Sequence, residues 1–346
     1  MNKIIMLTIL IFSFFSSTES FGWEEKNWIK KELVPFVSIK NQKNLKYVLP
    51  KDDKPGRALF DRPDVNDDYQ IHFIYLLMKD DEDMEMDING SLNQLVLEMN
   101  EHFNNLTKRT KKVKKSKGEG QHLKIDFTKD NLLDVTFLRL PWTKKEFIKK
   151  YTADGFEEKW PDNWLSKFMI QMGFHNTKKS YVSYLQTSFN QGESGAANLP
   201  HAFIYSKECK NNPKGQGSCM EIILHELMHT FGLIYPCNKG HSRGHLKGND
   251  LMGEGVQFLD PKNKSYYMHD DESCPDLADV VYLTPTSENP WDPIDIVCKR
   301  QLDRFNHKKL LKAKKNNNKI GGSCDYARAL PKNNSICPEC INPWVK

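Results

Sequence analysis

The sequence contains no apolar run long enough to cross a bilayer as a helix, which takes about 20 residues. The run from Ile4 to Phe15 is too short, and no later segment reaches that length. Apolar residues make up 38% of the chain and charged residues 27%, with a mean hydropathy of −0.65. This composition excludes a membrane transporter, a fibrous protein and a fully disordered chain, and it is typical of a soluble globular protein.

The first 22 residues have the pattern of a secretory signal peptide. Lys3 precedes the short apolar run, and small polar residues follow it up to a cleavage site near Ser20 or Gly22. We therefore expect a secreted or periplasmic protein without a stable membrane anchor.

Cysteine is absent from the first half of the chain, and all eight cysteines lie from Cys209 onward. A second CxxC pair is also absent, so the single pair Cys337 and Cys340 does not form a four-cysteine zinc site. In an exported chain, an even number of cysteines favours up to four structural disulfides, whose pairing stays undetermined.

The chain lacks a strong excess of either charge, since 50 Lys and Arg face 45 Asp and Glu for a net charge of +5. Basic residues concentrate in two segments, 108–117 and 299–319. No aromatic residue interleaves the first segment, as a single-stranded nucleic-acid site would require, so we interpret it as a solvated hairpin insertion and expect no nucleic-acid partner. The basic tail 296–346 is interpreted as a disulfide-tied surface segment, with binding of an anionic polymer as the alternative. The oligomeric state stays undetermined.

Strand and helix patterns along the chain predict an α+β fold with α/β character, built on a twisted mixed sheet. The acidic run 80–87 is predicted to be a solvated loop, with a cation site as the alternative that its spacing does not favour. Ser91 is predicted to cap a helix. The predicted strands are 69–78, 122–127, 132–140, 179–186 and 201–206. A Gly- and Asn-rich loop is predicted at 187–200, between the last two strands. The predicted helices are 91–106, 143–172 with a break at Pro161, and 218–232.

The last of these helices has the clearest local signals. Ser218 and Glu221 form a capping box at its start, and apolar residues recur at helical spacing through Phe231. Gly232 follows where a left-handed residue can end the helix.

The same helix carries the pattern HExxH. His225 and His229 are four residues apart and project from one side, so both imidazoles can reach one metal ion at about 2.0–2.1 Å. Glu226 stands beside the first histidine, where its carboxylate can take a proton from water without being a ligand. Composition predicts about 0.02 such matches by chance, so a coincidence is a poor explanation.

A hydrolytic zinc site needs a third protein ligand and an open position for water. The residues His225, Glu226, His229 and Gly232, together with Met252 in the sequence DLMG, resemble the HExxHxxGxxH motif and Met-turn of the metzincin metallopeptidases. That motif has its third histidine three residues after the glycine, where this chain has Tyr235.

The resemblance therefore implies either a lost ligand or an insertion of about ten residues that supplies a later one. We favour the insertion, with His245 as third ligand because it precedes Met252 by seven residues, and His241 as its substitute. Glu254 as third ligand would instead resemble the gluzincins. Asp250 is interpreted as a residue that orients a ligand or shapes the turn.

The resemblance extends over about Tyr69 to Pro293 and implies a metzincin-like catalytic domain at 67–295. A signal peptide (1–22) and an extension or pro-segment (23–66) precede it, and the tail (296–346) follows. The implied function is an exported peptidase for protein or peptide substrates, with one Zn²⁺ ion and Glu226 as general base and acid. Tyr235 and Tyr267 are candidates to stabilise the oxyanion. The alternatives are a catalytically inactive metzincin-like secreted binding module and a gluzincin-like peptidase that uses Glu254.

Overall fold

The computed structural model covers most of the predicted catalytic domain. The predicted signal peptide (1–22) and basic tail (296–346) lie outside the described residues. The described residues are 52, 54–153, 161–174, 176, 178–187, 189, 194–198, 200–206, 218–231, 245–253, 257–270 and 276–293. No helix within these ranges is long and apolar enough to cross a membrane.

Within the described residues, five strands form one twisted mixed sheet. They are β1 (Gln70–Leu77), β3 (Val135–Arg139), β4 (Lys179–Leu185), β5 (Gly195–Asn198) and β6 (His201–Tyr205). Their order across the sheet is β3-β1-β4-β6-β5, with four strands parallel and β5 antiparallel at one edge. Two further strands, β2 (His122–Leu123) and β7 (Leu283–Thr284), pair separately.

Helices cover both faces of the large sheet. They are α1 (Ser91–Lys108), α2 (Lys111–Ser116), α3 (Lys144–Ala153), α4 (Asp162–Gln171) and α5 (Cys219–Thr230). Alternate residues of β1 serve the two faces: Phe73 and Tyr75 pack with residues of α1 and α5, and Ile74 and Leu76 pack with residues of α3 and α4. Each such side chain contributes roughly 1.5–3 kcal/mol on burial, which explains why β1 is apolar on both faces from Phe73 to Leu77 rather than alternating. The predicted α+β fold is confirmed.

Several local predictions were wrong because distant contacts decide the outcome. The basic segment 108–117 contains helix α2 rather than a hairpin loop, since Val113 is buried and the amide of Lys111 donates to the carbonyl of Pro261. Helix α1 is preceded by Gly90 in a left-handed conformation, and Ser91 makes no side-chain cap. The predicted strand 122–127 is reduced to His122–Leu123 and isolated bridges.

The Gly- and Asn-rich segment 187–200 was predicted as a loop but contains the edge strand β5. Its small residues Gly195, Ala196 and Ala197 give little strand signal by composition. The strand forms because it pairs with β6 through backbone hydrogen bonds, as Gly195 opposite Ile204 and Asn198 opposite His201.

Residues 54–62, from the predicted N-terminal extension, lie along the β3 edge of the sheet. Ala58 bridges to Thr136, and the amide of Phe137 donates to its carbonyl oxygen. The guanidinium of Arg57 stacks over the Phe137 ring at 3.6 Å and is fully buried. It also binds Asp83 at 2.9 Å and Asp87 at 2.7 Å, so the acidic run 80–87 is not simply solvated as predicted.

Replacing Arg57 tests whether this segment belongs to the cooperative fold. We expect Arg57→Ala to lower the free energy of unfolding by about 3–5 kcal/mol, because it leaves the buried carboxylates of Asp83 and Asp87 without their cation. Urea denaturation monitored by circular dichroism measures the loss.

Lys54→Ala is the matched control, because Lys54 pairs with Asp83 and Glu85 from a more exposed position. We expect a much smaller loss from that change. Equal unfolding midpoints for wild type and Arg57→Ala would show that residues 54–62 lie outside the cooperative unit.

Candidate metal centre

Helix α5 has a well-defined start and a buried inner face. The side chain of Ser218 accepts from the amide of Glu221, and the Glu221 carboxylate accepts from the amide of Ser218, which is the predicted capping box. Ile223, Leu224 and Leu227 are fully buried where the helix packs on β4, β5, β6 and α1. Packing against the sheet therefore fixes the position of α5 along its axis and its rotation about that axis, and with them the placement of the HExxH residues.

Three imidazoles converge beside this helix. The Nε2 atom of His229 lies 3.1 Å from Nε2 of His225 and 3.3 Å from Nε2 of His245. Each histidine offers a ring nitrogen within 4.8 Å of the others. His245, exposed and sixteen residues beyond His229, thus lies where the insertion hypothesis requires it.

The spacing of these nitrogens fits one tetrahedral ion. Ligands at about 2.0–2.1 Å from zinc with tetrahedral angles have nitrogens roughly 3.3 Å apart. The two Nε2 separations, 3.1 and 3.3 Å, agree with that value. Three imidazoles leave one tetrahedral position for water, as a hydrolytic site requires.

The protonation of the cluster also suits a metal. Nδ1 of His225 donates to the carbonyl oxygen of Leu251 at 2.6 Å, which leaves the lone pair on the converging Nε2 atom. Burial, reinforced by the charge of His245 and opposed by the Leu251 carbonyl, lowers the pKa of His225 to about 4. Burial and the neighbouring imidazoles hold the pKa of His229 well below its ordinary value. Both rings are neutral at pH 7, the form that binds metal.

A compact turn closes the site on the side of His245. Leu251 and Met252 are fully buried in the core that contains α5. The amide of Leu246, next to His245, donates to the carbonyl of Met252 at 2.6 Å. Gly253 is needed here, because a Cβ atom would lie 2.5 Å from the carbonyl oxygen of Gly248.

Glu226 lies against the edge strand. Its side chain is largely buried, with 8% of the residue exposed. A Cβ atom on Gly195 would lie 2.6 Å from Cγ of Glu226 and 2.8 Å from Oε1, closer than real Cβ contacts permit. The absence of a side chain at Gly195 therefore makes room for the Glu226 carboxylate.

Several candidates from the sequence cannot be placed. Gly232, Tyr235, His241 and Glu254 lie outside the described residues, so the substitute ligand and the gluzincin alternative stay predictions. Seven of the eight cysteines also lie outside, and the expectation of disulfides stays a prediction.

The prediction that Tyr267 is a candidate to stabilise the oxyanion was wrong. Its ring is fully buried, and its hydroxyl donates to Oε1 of Gln121 at 2.9 Å. Burial raises the pKa of this phenol above its ordinary value. It is a core residue, and its hydrogen bond connects it to Gln121, the residue before β2.

Two contributors were missed by sequence reasoning. The acceptor for His225 is the backbone carbonyl of Leu251, and any residue type supplies a carbonyl, so it has no sequence signal. Gly195 lies in a segment long enough to form a strand, which is a weak sequence signal. Its contact with Glu226, however, depends on tertiary packing.

A second group of side chains that can bind metals lies near the N-terminal ends of the parallel strands. It contains Asp61, His72, Asp126 and Asp134, with donor atoms within 4.8 Å of one another. Its centre, however, already contains a cation. Nζ of Lys179 lies 2.7 Å from both Asp61 and Asp126, and Asp134 binds Arg62 at 2.6 Å.

These contacts make a metal ion unfavourable in the second group. Burial lowers the pKa of Lys179, but the charges of Asp61 and Asp126 outweigh it and raise the pKa above its ordinary value. The ammonium group therefore stays charged and repels a divalent ion. His72 is bound on both sides, by Asp126 at 2.9 Å and Thr136 at 2.9 Å.

Comparisons with known proteins give no family assignment. No protein-family model and no curated protein match the chain. Among solved structures, wild-type OgpA from Akkermansia muciniphila matches with a TM-score of 0.30 and 14% identity over 51% of each chain. Catalytically inactive OgpA from the same organism, in complex with an O-glycopeptide (glycodrosocin) substrate, matches with a TM-score of 0.31 and 12% identity, also over 51% of each chain.

The chain thus spans about half the length of the OgpA chains that it matches. TM-scores this low do not establish a shared fold.

The candidate metal centre and the group around His72 give opposite expectations for metal binding. We expect the chain, stripped with a chelator and dialysed against zinc, to take up one Zn²⁺ ion per molecule. His229→Ala should weaken zinc binding by more than the roughly 100-fold that changes to outer hydrogen-bond partners can cost. Atomic emission spectroscopy and competition with a chromophoric chelator measure stoichiometry and affinity.

Asp61→Asn is the control, since it removes a donor from the second group. We expect this variant to retain one zinc ion with unchanged affinity. Two ions per wild-type chain, or loss of the ion in Asp61→Asn, would contradict this assignment.

Proposed function

We propose that the chain is a zinc-dependent peptidase, with His225, His229 and His245 as metal ligands and Glu226 as general base and acid. The observation that carries this proposal is the convergence of three ring nitrogens, two from the HExxH helix and one from the loop beyond it. Two of the three rings have pKa values shifted toward the neutral, metal-binding form. The glutamate of the HExxH pattern is present and largely buried beside them.

Each residue has a distinct role in this proposal. Zinc, when bound, supplies an activated water and polarises the carbonyl of the scissile bond. Glu226 accepts the proton of the attacking water and passes it to the leaving amine. The carbonyl of Leu251 keeps the proton of His225 on Nδ1, away from the ligand position.

The contact with β5 limits the movement of the proposed base. A carboxylate on a free side chain samples several rotamers, whereas that of Glu226 packs against the backbone at Gly195. General bases act within hydrogen-bond reach of the proton that they take, so a fixed carboxylate favours the transfer.

The proposal extends to the setting of the enzyme. A protein or peptide is the proposed substrate, because an activated water beside a general acid and base suits amide hydrolysis. The signal-like residues 1–22 support a secreted or periplasmic location, and the eight cysteines support disulfides in that compartment.

Glu226→Gln tests the proposed chemistry. The amide has nearly the same shape but cannot accept the proton, so we expect hydrolysis of casein or gelatin to fall by roughly 10²- to 10⁴-fold. Zinc content should stay at one ion per chain, because Glu226 is not a proposed ligand. A fluorescent casein assay, run beside metal analysis, measures both quantities.

Removal of zinc with a chelator should abolish hydrolysis in the wild type, and added zinc should restore it. If wild type and Glu226→Gln both hold zinc but are equally inactive on proteins and peptides, the peptidase proposal is wrong. A binding module of the same fold would then be the better description.

Gly195→Ala tests the position of the base without changing its chemistry. The new methyl group would lie 2.6 Å from Cγ of Glu226, so we expect the carboxylate to move and hydrolysis to fall by at least tenfold. Zinc affinity should not change.

Ala196→Gly, on the same strand but packed into the opposite core, is the matched control for a general loosening of β5. We expect it to retain most of its activity. Full activity in Gly195→Ala would show that the contact with Glu226 does not matter for turnover.

A further inference from the structure

The turn between His245 and the buried core is organised by the carboxylate of Asp250. Its Oδ1 atom accepts from the amide of Met252 at 2.9 Å and from the hydroxyl of Tyr266 at 2.8 Å. Its Oδ2 atom accepts from the amide of Asp260 at 3.0 Å. One side chain therefore joins Met252, Asp260 and Tyr266.

This turn contacts one proposed ligand, His225, and the residue that follows another, His245. The carbonyl of Leu251 accepts from Nδ1 of His225, and the carbonyl of Met252 accepts from the amide of Leu246, which follows His245. In sequence, Leu251 is one residue after Asp250 and Met252 is two residues after it. Its carboxylate thus holds the peptide groups that fix the imidazole of His225 and the backbone beside His245.

The carboxylate of Asp260 fixes the backbone that carries a hydrogen-bond partner of Asp250. Asp260 is almost fully buried, and its Oδ2 atom accepts from the amides of Ser265, Tyr266 and Tyr267 at 2.7–3.0 Å. These bonds fix the backbone at Tyr266, whose hydroxyl donates to Asp250. Because the ring of Tyr266 is fully buried, the hydroxyl has a defined position.

We infer that Asp250, braced by Asp260 and Tyr266, is a positioning residue that sets the spacing of His225 and His245 around the metal. This inference rests on the proposed function, since it concerns the same three ligands. Groups that orient ligands through hydrogen bonds typically change metal affinity by about 10- to 100-fold when they are removed. Asp250 acts through backbone carbonyls and touches no metal itself.

A purely stabilising role is the competing explanation, and Asp276 provides the comparison. Its carboxylate also accepts from three backbone amides, those of Met268, His269 and Ala278, at 2.7–2.9 Å. It belongs to the same C-terminal part of the domain, but the bonds of its carboxylate do not reach the turn 250–253. Asp250→Asn and Asp276→Asn therefore remove similar bonds with different connections to the site.

The experiment measures the metal site rather than turnover alone. Zinc affinity is measured by chelator competition for the wild type, Asp250→Asn, Tyr266→Phe and Asp276→Asn. The visible absorption bands of the Co²⁺-loaded proteins report the ligand geometry, and melting of the metal-free proteins reports stability.

We expect zinc affinity to fall about tenfold or more in Asp250→Asn, with shifted Co²⁺ bands. Tyr266→Phe, which removes one bond to Asp250, should show a smaller change in the same direction. Asp276→Asn should keep wild-type affinity and bands even if its melting temperature falls.

Wild-type zinc affinity and Co²⁺ bands in both Asp250→Asn and Tyr266→Phe would overturn the inference while the proposed function survives. Equal losses of affinity in Asp250→Asn and Asp276→Asn would overturn it as well, since general destabilisation would then explain both. A wild-type chain that binds no zinc would contradict the proposed function itself. If Asp250→Asn does not fold, Tyr266→Phe decides between these outcomes.

Discussion

The hydrogen bond from Nδ1 of His225 to the carbonyl of Leu251 joins the two parts of the candidate metal centre. One part is a helix that presents two imidazoles, and the other is a loop that presents the third. Without this bond, the ring of His225 could turn or carry its proton on Nε2, and the three lone pairs would no longer face one point. The geometry of the site thus depends on a backbone acceptor twenty-six residues away from its donor.

The sheet supplies the rigidity on which that bond depends. Its parallel strands are covered on both faces, so α5 packs against a surface that cannot easily shift. The edge strand β5 runs beside the helix, where Gly195 lets the Glu226 carboxylate approach the backbone. The HExxH helix, the proposed base and the edge strand therefore pack together, and the turn at Leu251 is joined to them by its hydrogen bond with His225.

Charge balance distinguishes the candidate metal centre from the group around His72. At the candidate metal centre, three imidazoles face one another, and burial favours their neutral forms at His225 and His229. In the group around His72, Lys179 supplies the positive charge that the carboxylates require. Histidine thus belongs to a potential ligand set in one place and to an ion-pair network in the other, where Lys179 and Arg62 pair with the carboxylates.

Features that depend on neighbours along the chain could be predicted from the residues alone. These are the α+β pattern, the capped helix with His225 and His229 on one side, and the adjacent Glu226. Tertiary structure decided whatever depends on partners far apart in sequence. It brought His245 to the HExxH helix, made an edge strand from the small residues around Gly195, turned the basic segment at Lys111 into a helix and placed Lys179 among the carboxylates. The reason is physical: helix periodicity and capping act within a few residues, whereas convergence of side chains and desolvation of charges depend on how the sheet packs.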